Sequence, residues 1–199
     1  LTPVLELTAA EQERVKNFAQ AHQLSTDDYT ILFECAPLSG QLAMDIHRAH
    51  ALAVQMTAAD PAIKVILSSA HKIDTGHDRI IDGSVLSLRE TAGLTHHCSL
   101  LIGCSSGITW ASTSTAAQPI SSVQLLDNRA YIFNSPVLDH ERNGLPADRW
   151  LELYDFDDAK ILSVIRHIRE QGFEAARSEQ GQRSKQTFRI YRGITHEFI

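Results

Sequence analysis

The stretch Ser99-Leu100-Leu101-Ile102-Gly103-Cys104-Ser105-Ser106-Gly107-Ile108-Thr109-Trp110 decides the fold of this 199-residue chain. Its first four residues form an apolar run of the length of a buried strand. The next five carry little side-chain bulk, so main-chain N–H groups there can approach a ligand. A helix beginning at Gly107 would direct its unpaired N–H groups and the positive end of its dipole to the same place. The turn therefore has two interpretations: a phosphate cradle, or a serine nucleophile at a strand-to-helix elbow.

Apolar runs of strand length alternate with helical patterns along the whole chain. Strands are predicted at 30–35, 64–69, 79–81, 99–104 and 122–126, helices at 9–23, 41–59, 88–97, 107–117 and 157–171, and an irregular segment at 127–150. Continuous apolar strands separated by helices are typical of a parallel sheet covered on both faces. We therefore predict an α/β, Rossmann-like three-layer domain with a mainly parallel sheet of about five or six strands and helices on both faces.

The loops that follow the predicted strands carry most of the small and polar residues. They span 34–41, 68–78, 103–109 and 127–140. In parallel sheets, ligands bind beyond the carboxyl ends of the strands, at the point where the strand order reverses. The alignment of these loops with the strand ends therefore predicts a ligand-binding domain.

Composition limits the classes of partner. The formal net charge is −6, which argues against a general nucleic-acid or membrane-surface binder, because those proteins need a basic footprint. No apolar run approaches the 18 residues of a membrane span. Three cysteines without a disulfide-like pattern predict a reducing, cytoplasmic location. The chain lacks an initiator Met and a signal-peptide pattern, so we expect an excerpt or a processed chain.

Three passages resemble a known family. Residues 7–18, with the strand at 30–35, look like a linker helix leading into a domain. Ser87-Leu88-Arg89-Glu90-Thr91-Ala92-Gly93-Leu94 looks like the helix before the fourth strand, and Ser105-Ser106-Gly107-Ile108-Thr109-Trp110 is similar to an Asp-Ser-Gly segment. Together they resemble the C-terminal, nucleotide-sugar-binding half of GT-B glycosyltransferases, most closely the heptosyltransferase-like enzymes of glycosyltransferase family 9. The resemblance covers about 7–130.

The chain departs from that family at three places. Ser105 stands where the family usually has Asp, and Trp110 where it often has His. A loop of glycine-lysine-tryptophan type after the first strand is replaced by Ala36-Pro37-Leu38-Ser39-Gly40-Gln41. These departures leave the donor base and sugar open.

The resemblance implies which residues bind a donor diphosphate. Hydroxyl and N–H groups of the turn would neutralise the anion without a metal or other cofactor. Ser39, Gly40 and Gln41 repeat the arrangement after the first strand, with helix capping as an equally good explanation, and Glu34 would bond a sugar or ribose hydroxyl unless it is a surface or capping carboxylate. The predicted substrate-binding residues are Ser105, Ser106, Gly107, Ile108, Thr109, Ser39, Gly40, Gln41 and Glu34.

The implied function is that of the donor-binding half of an enzyme that moves a sugar from a nucleoside diphosphate sugar to a polysaccharide or glycolipid acceptor. The acceptor site and catalytic base would belong to an absent N-terminal domain, so no catalytic residue is assigned. Residues 1–172 are expected to form the domain with its linker helix, and 173–199 a C-terminal tail or helix whose basic residues face solvent.

Two other classes stay open. Gly103-Cys104-Ser105-Ser106-Gly107 is a literal G-x-S-x-G between a strand and a helix, which would make Ser105 the nucleophile of an α/β-hydrolase-like esterase. Asp127 or Asp139 would then be the acid, and His140 or His196 the base. The other class is a non-catalytic domain that binds a nucleotide or a partner.

Overall fold

The apolar runs of the sequence form the strands of one parallel sheet. The computed structural model describes residues 2–25, 27–35, 44–127, 135–154 and 156–183. The strands are β1 (Tyr29–Glu34), β2 (Ile63–Ser68), β3 (Ile80–Asp82), β4 (Leu100–Gly103), β5 (Ser121–Leu125) and β6 (Trp150–Leu153). They lie in the order β3-β2-β1-β4-β5-β6, and every neighbouring pair is parallel. The predicted fold class is confirmed.

Helices cover both faces of this sheet. They are α1 (Ala9–Ala21), α2 (Ile46–Ala59), α3 (Leu88–Leu94), α4 (Gly107–Ala111), α5 (Pro136–Arg142), α6 (Asp158–Gln171) and α7 (Phe173–Gln180), with a short 3₁₀ turn at Thr95–His97. Successive side chains along a strand point to opposite faces of the sheet, so they pack alternately into two apolar clusters. Ile31 and Phe33 of β1 pack with residues of α2, α6 and α7, whereas Leu32 packs with Val15 and Leu94 on the other face.

Local capping determines where several helices begin. Thr8 with Glu11 and Ser87 with Glu90 form the two capping boxes predicted from the sequence. Helix α2 begins at Ile46 rather than 41, because the Asp45 side chain accepts the N–H of Arg48 at 2.8 Å and fixes the cap there.

Helix α4 is much shorter than predicted. It ends at Ala111 rather than 117. The hydroxyls of Ser112, Thr113 and Ser114 each donate to the carbonyl three residues earlier, at 2.6, 2.8 and 2.6 Å, and so compete with helix continuation. Thr115 then donates its N–H to the Pro3 carbonyl at 3.0 Å, which directs the chain toward the N-terminal segment.

The segment predicted to be irregular contains regular structure. Helix α5 begins after Ser135, whose side chain accepts the N–H of Leu138, and Pro136 occupies its first turn. Strand β6 adds the edge of the sheet beside β5. Helix α7 lies beyond the C-terminal end of α6 at Gly172 (φ +90°), and its Ala176 is fully buried in the same apolar cluster as α6.

Candidate functional site

The carboxyl ends of two strands lie side by side where the strand order reverses. Strands β1 and β4 are neighbours, but the chain continues from β1 to β2 on one side and from β4 to β5 on the other. In sheets of this kind, such a switch point marks a crevice at the carboxyl edge, where ligands bind. Glu34 ends β1 and Gly103 ends β4, so both lie at this switch point.

Glu34 is the centre of the hydrogen-bond network at the crevice. Its side chain is buried, with 1% of the residue exposed. One carboxylate oxygen, Oε2, accepts the Cys104 N–H at 2.9 Å and the Thr109 hydroxyl at 3.4 Å. The other, Oε1, accepts the Ser106 hydroxyl. Glu34 is therefore neither a surface carboxylate nor a helix cap, and it connects β1 to the turn after β4.

Burial dominates the titration of Glu34. Removal from water raises the pKa of this carboxyl to about 7, while the hydrogen bonds from Cys104 and Thr109 act in the opposite direction. The crevice thus contains a carboxyl group that changes charge near neutral pH.

The turn itself adopts an unusual backbone conformation. Ser105 has φ +54°, in the left-handed region that residues other than glycine seldom occupy. Its N–H donates to Gln124 Oε1 at 2.8 Å. Its hydroxyl is buried and has no hydrogen-bond partner among the described residues. A buried hydroxyl without a partner is costly, so this atom is a candidate contact for a ligand.

Gln124 was not predicted as a site residue, yet it supports the turn from β5. Besides the Ser105 N–H, its Oε1 lies 3.2 Å from the Thr109 hydroxyl, whose single proton is shared between Gln124 and Glu34, and its Nε2 donates to the Ser122 hydroxyl at 2.6 Å. The signal in the sequence is a polar side chain inside the apolar strand Ser-Val-Gln-Leu-Leu. A buried amide is retained where its hydrogen bonds are made, as they are here.

Gly103 brings these side chains close to the backbone of β4. A Cβ atom at this position would lie 2.5 Å from both Gln124 Nε2 and Thr109 Oγ1. Glycine is therefore required by the close approach of the supporting side chains.

Helix α4 contributes less than the sequence suggested. With five residues, it is too short for a developed dipole, and Ser106 occupies the N-cap position without a side-chain capping bond. Its hydroxyl is engaged with Glu34 instead, so simple capping by Ser106 is not its role. Thr109 is fully buried in the network, Ile108 packs beside the apolar cluster of α1 and α3, and Gly107 is exposed.

The remaining predictions concern the loop after β1 and the partners of a hydrolase nucleophile. Ser39, Gly40 and Gln41 lie outside the described residues, so their role stays a prediction. Of the groups considered for a hydrolase, His140 Nδ1 lies 2.7 Å from the Pro146 carbonyl, and its ring packs edge-on against Trp150. His196 lies outside the described residues. In the described part of the chain, no base or acid is hydrogen-bonded to the Ser105 hydroxyl.

The described ranges hold neither a metal-binding cluster nor a membrane-spanning helix. No three His, Cys, Asp or Glu side chains come together there in a group able to hold a metal ion. None of the helices described combines the length and the apolar character needed to cross a bilayer.

Comparisons with known proteins show what the fold resembles. No family model matches the sequence, and no curated protein does. Among solved structures, ADP-heptose LPS heptosyltransferase II of E. coli matches with a TM-score of 0.57 and 16% identity, over 84% of this chain and 54% of that one. A glycosyl transferase family 9 structure from Veillonella parvula matches with a TM-score of 0.56 and 17% identity, over 86% and 48%.

The chain shares the fold of these two glycosyltransferases. The likeness predicted from the sequence is thereby confirmed at the level of fold. The chain spans about half the length of either solved structure.

Proposed function

We propose that this chain is the donor-binding half of a GT-B glycosyltransferase, which moves a sugar from a nucleoside diphosphate sugar to a hydroxyl of a polysaccharide or glycolipid. The observation that carries the proposal is the polar turn after β4, at the switch point of a fold shared with two glycosyltransferases. The coverage of about half of each neighbour supports a second, N-terminal domain that binds the acceptor.

The turn has groups suited to a diphosphate. The unpartnered Ser105 hydroxyl, the main chain around the exposed Gly107, and the side of the crevice near Ile108 and Thr109 form the proposed contact surface. Ser39, Gly40 and Gln41 are assigned to the same ligand from the β1 side. Donors held in place by a rigid network stabilise the charge that develops on a departing nucleotide, without having to reorganise during the reaction.

The proposal divides the chemistry between two domains. Deprotonation of the acceptor is assigned to the partner domain. The isolated chain is expected to bind nucleotide sugar weakly and to transfer none. We place the protein in the cytoplasm because its three cysteines are free, as in a reducing compartment.

The first experiment is a thermal-shift screen with ADP-glucose, UDP-glucose, GDP-mannose and CMP on the wild type, Gly107→Glu and Gly107→Gln. A Cβ at Gly107 meets only Leu88, at the ordinary contact distances of 3.6 and 3.8 Å, so the position accepts a Cβ atom without strain, and Glu and Gln differ only in charge. A ligand present at a hundredfold its Kd stabilises by about 2.7 kcal/mol. We expect one nucleotide to raise the Tm of the wild type and Gly107→Gln, and Gly107→Glu to lose that shift because its carboxylate repels the diphosphate.

The outcomes separate the functional classes. Equal shifts in Gly107→Glu and Gly107→Gln would place the nucleotide elsewhere and contradict the proposed site. No shift with any nucleotide in any variant would favour a partner-binding domain. Transfer of sugar by the isolated chain would contradict the division of the chemistry between two domains.

A further inference from the structure

The turn proposed to bind a diphosphate also contains a buried carboxyl group. Glu34 Oε2 lies 2.9 Å from the Cys104 nitrogen and 3.4 Å from the Thr109 hydroxyl, and Oε1 bonds the Ser106 hydroxyl. Ser106 and Thr109 are both predicted contacts of the diphosphate. Glu34 is therefore bonded directly to two of the residues proposed to hold the ligand.

In the described part of the chain, no cation compensates the charge of Glu34. The groups there that shift its titration are the Cys104 N–H and the Thr109 hydroxyl, without any Lys, Arg or His. The titratable groups beside it are the thiols of Cys35 on β1 and Cys104 after β4. Burial and the nearby Glu34 carboxyl raise the pKa of both thiols, so they are neutral, and Asp82 at the end of β3 adds negative charge beside Cys35.

An ionised Glu34 and a diphosphate are therefore incompatible at close range. Two negative charges in a buried site repel each other strongly, because little water screens them. A neutral carboxyl has the opposite effect. It keeps an acceptor oxygen for the Cys104 N–H and gains an O–H donor.

We propose that Glu34 takes up a proton when a diphosphate binds at the turn, so that donor binding is coupled to pH through this residue. This inference rests on the proposed function. It adds that anion binding at this site is linked to proton uptake. Ionised Glu34 accepts hydrogen bonds from the turn, whereas protonated Glu34 is neutral beside the bound diphosphate and can donate a hydrogen bond.

The titration of Glu34 makes such coupling measurable near neutral pH. Its pKa is raised to about 7 in the unliganded chain, and an adjacent anion raises it further. Below pH 6 the Glu34 carboxyl is already neutral, so the protein binds few additional protons when the ligand binds. Above pH 7 each binding event must protonate Glu34, so Kd is expected to rise toward tenfold per pH unit.

The experiment measures the Kd of the three nucleotide sugars named above, ADP-glucose, UDP-glucose and GDP-mannose, between pH 5.5 and 8.5, for the wild type and Glu34→Gln. The phosphates of nucleotide sugars keep a fixed charge over this range, so the ligand itself adds no pH dependence. Gln has the shape of the protonated Glu side chain. We expect the wild-type Kd to rise steeply above pH 7, and the Glu34→Gln Kd to stay near the low-pH value of the wild type.

Calorimetry provides a second test that needs no variant. Titration of the wild type at pH 7.5 in Pipes and in Tris, which differ in ionisation enthalpy, counts the protons bound with each ligand. With a pKa of about 7, we expect uptake of about three quarters of a proton.

Each result decides between the two proposals. Binding without pH dependence, uptake near zero, or the same pH dependence in Glu34→Gln would overturn the role of Glu34 and leave the donor-binding function standing. Affinity that increases with pH would also overturn it, since that is the sign expected if ionised Glu34 accepts a ligand hydroxyl. No binding of any probe at pH 5.5 by either protein would overturn the donor-binding function, and the proton coupling with it.

Discussion

The carboxylate of Glu34 accepts the main-chain N–H of Cys104 at 2.9 Å, and this bond joins the ends of two strands that the chain reaches 70 residues apart. The same carboxylate holds the side chains of Ser106 and Thr109. The geometry of the turn after β4 therefore depends on a residue of β1. A change at Glu34 is expected to affect both the stability of the fold and the ligand site.

Glu34→Gln is expected to stabilise the free protein at high pH. The folded pKa of about 7 lies above the ordinary pKa of 4.5 that Glu has in an unfolded chain, so the wild type loses stability as pH rises through this window. The free energy of unfolding of the wild type is expected to fall by at most about 3 kcal/mol by pH 8. Near pH 4 the side chain at position 34 is neutral in both folded proteins, so this difference disappears. Urea unfolding of both proteins at pH 4.5, 6 and 8 measures the difference.

The control for this prediction is Glu13→Gln, at an exposed position of α1. The free energy of unfolding of Glu13→Gln, relative to the wild type, is expected to change little between pH 4.5 and pH 8. A stability difference between wild type and Glu34→Gln that stayed constant from pH 4.5 to 8 would show that Glu34 does not titrate in this window.

Gln124→Leu is expected to destabilise the domain by about 1–3 kcal/mol. Leucine removes the acceptor of the Ser105 N–H, which is then buried without that partner, and leaves the Thr109 hydroxyl with only the longer bond to Glu34. Gln55→Leu is the matched control, because Gln55 is exposed on α2 and makes one long bond of 3.5 Å. Equal urea midpoints for the two variants would show that the amide of Gln124 does not support the turn.

A fluorophosphonate probe is expected to leave the chain unlabelled. The Ser105 hydroxyl is buried and has no base bonded to it among the described residues, so nothing there activates it as a nucleophile. Mass spectrometry after incubation, with a known serine hydrolase treated in parallel, measures the extent of labelling. Labelling of the wild type that disappears in Ser105→Ala would favour the hydrolase interpretation.

The strands were predictable to within about one residue because each is an apolar run that the sheet buries on both faces. Strand β6 was harder to recognise, since the buried Glu152 interrupts its pattern, and its carboxylate is satisfied by Ser135 at 2.8 Å and by Val137. Helix α4 was overestimated because hydroxyls after Ala111 bond the main chain, which helical periodicity does not reveal.

The site was partly predictable for a related reason. Glu34 and the turn at Ser105 and Ser106 stand out because polar and small residues follow apolar strands. Gln124 does not stand out in the sequence. It supports the turn only because β5 pairs with β4, and this pairing depends on the sheet topology rather than on any local motif. That the Ser106 hydroxyl bonds Glu34 instead of capping α4 likewise depends on the pairing of β1 with β4.

Gly103→Ala is expected to destabilise the domain by about 1–3 kcal/mol and to weaken nucleotide binding. The added methyl group would lie 2.5 Å from Gln124 Nε2 and Thr109 Oγ1, so both side chains must move away from the positions in which they support Ser105. Gly107→Ala, four residues along, is the matched control. Its Cβ meets only Leu88 at 3.6 Å and it lies in the first turn of α4, so we expect equal or slightly greater stability. Urea unfolding, with thermal shifts at saturating nucleotide, measures both effects, and a Gly103→Ala protein as stable as Gly107→Ala would contradict the close packing of Gln124 and Thr109 against β4.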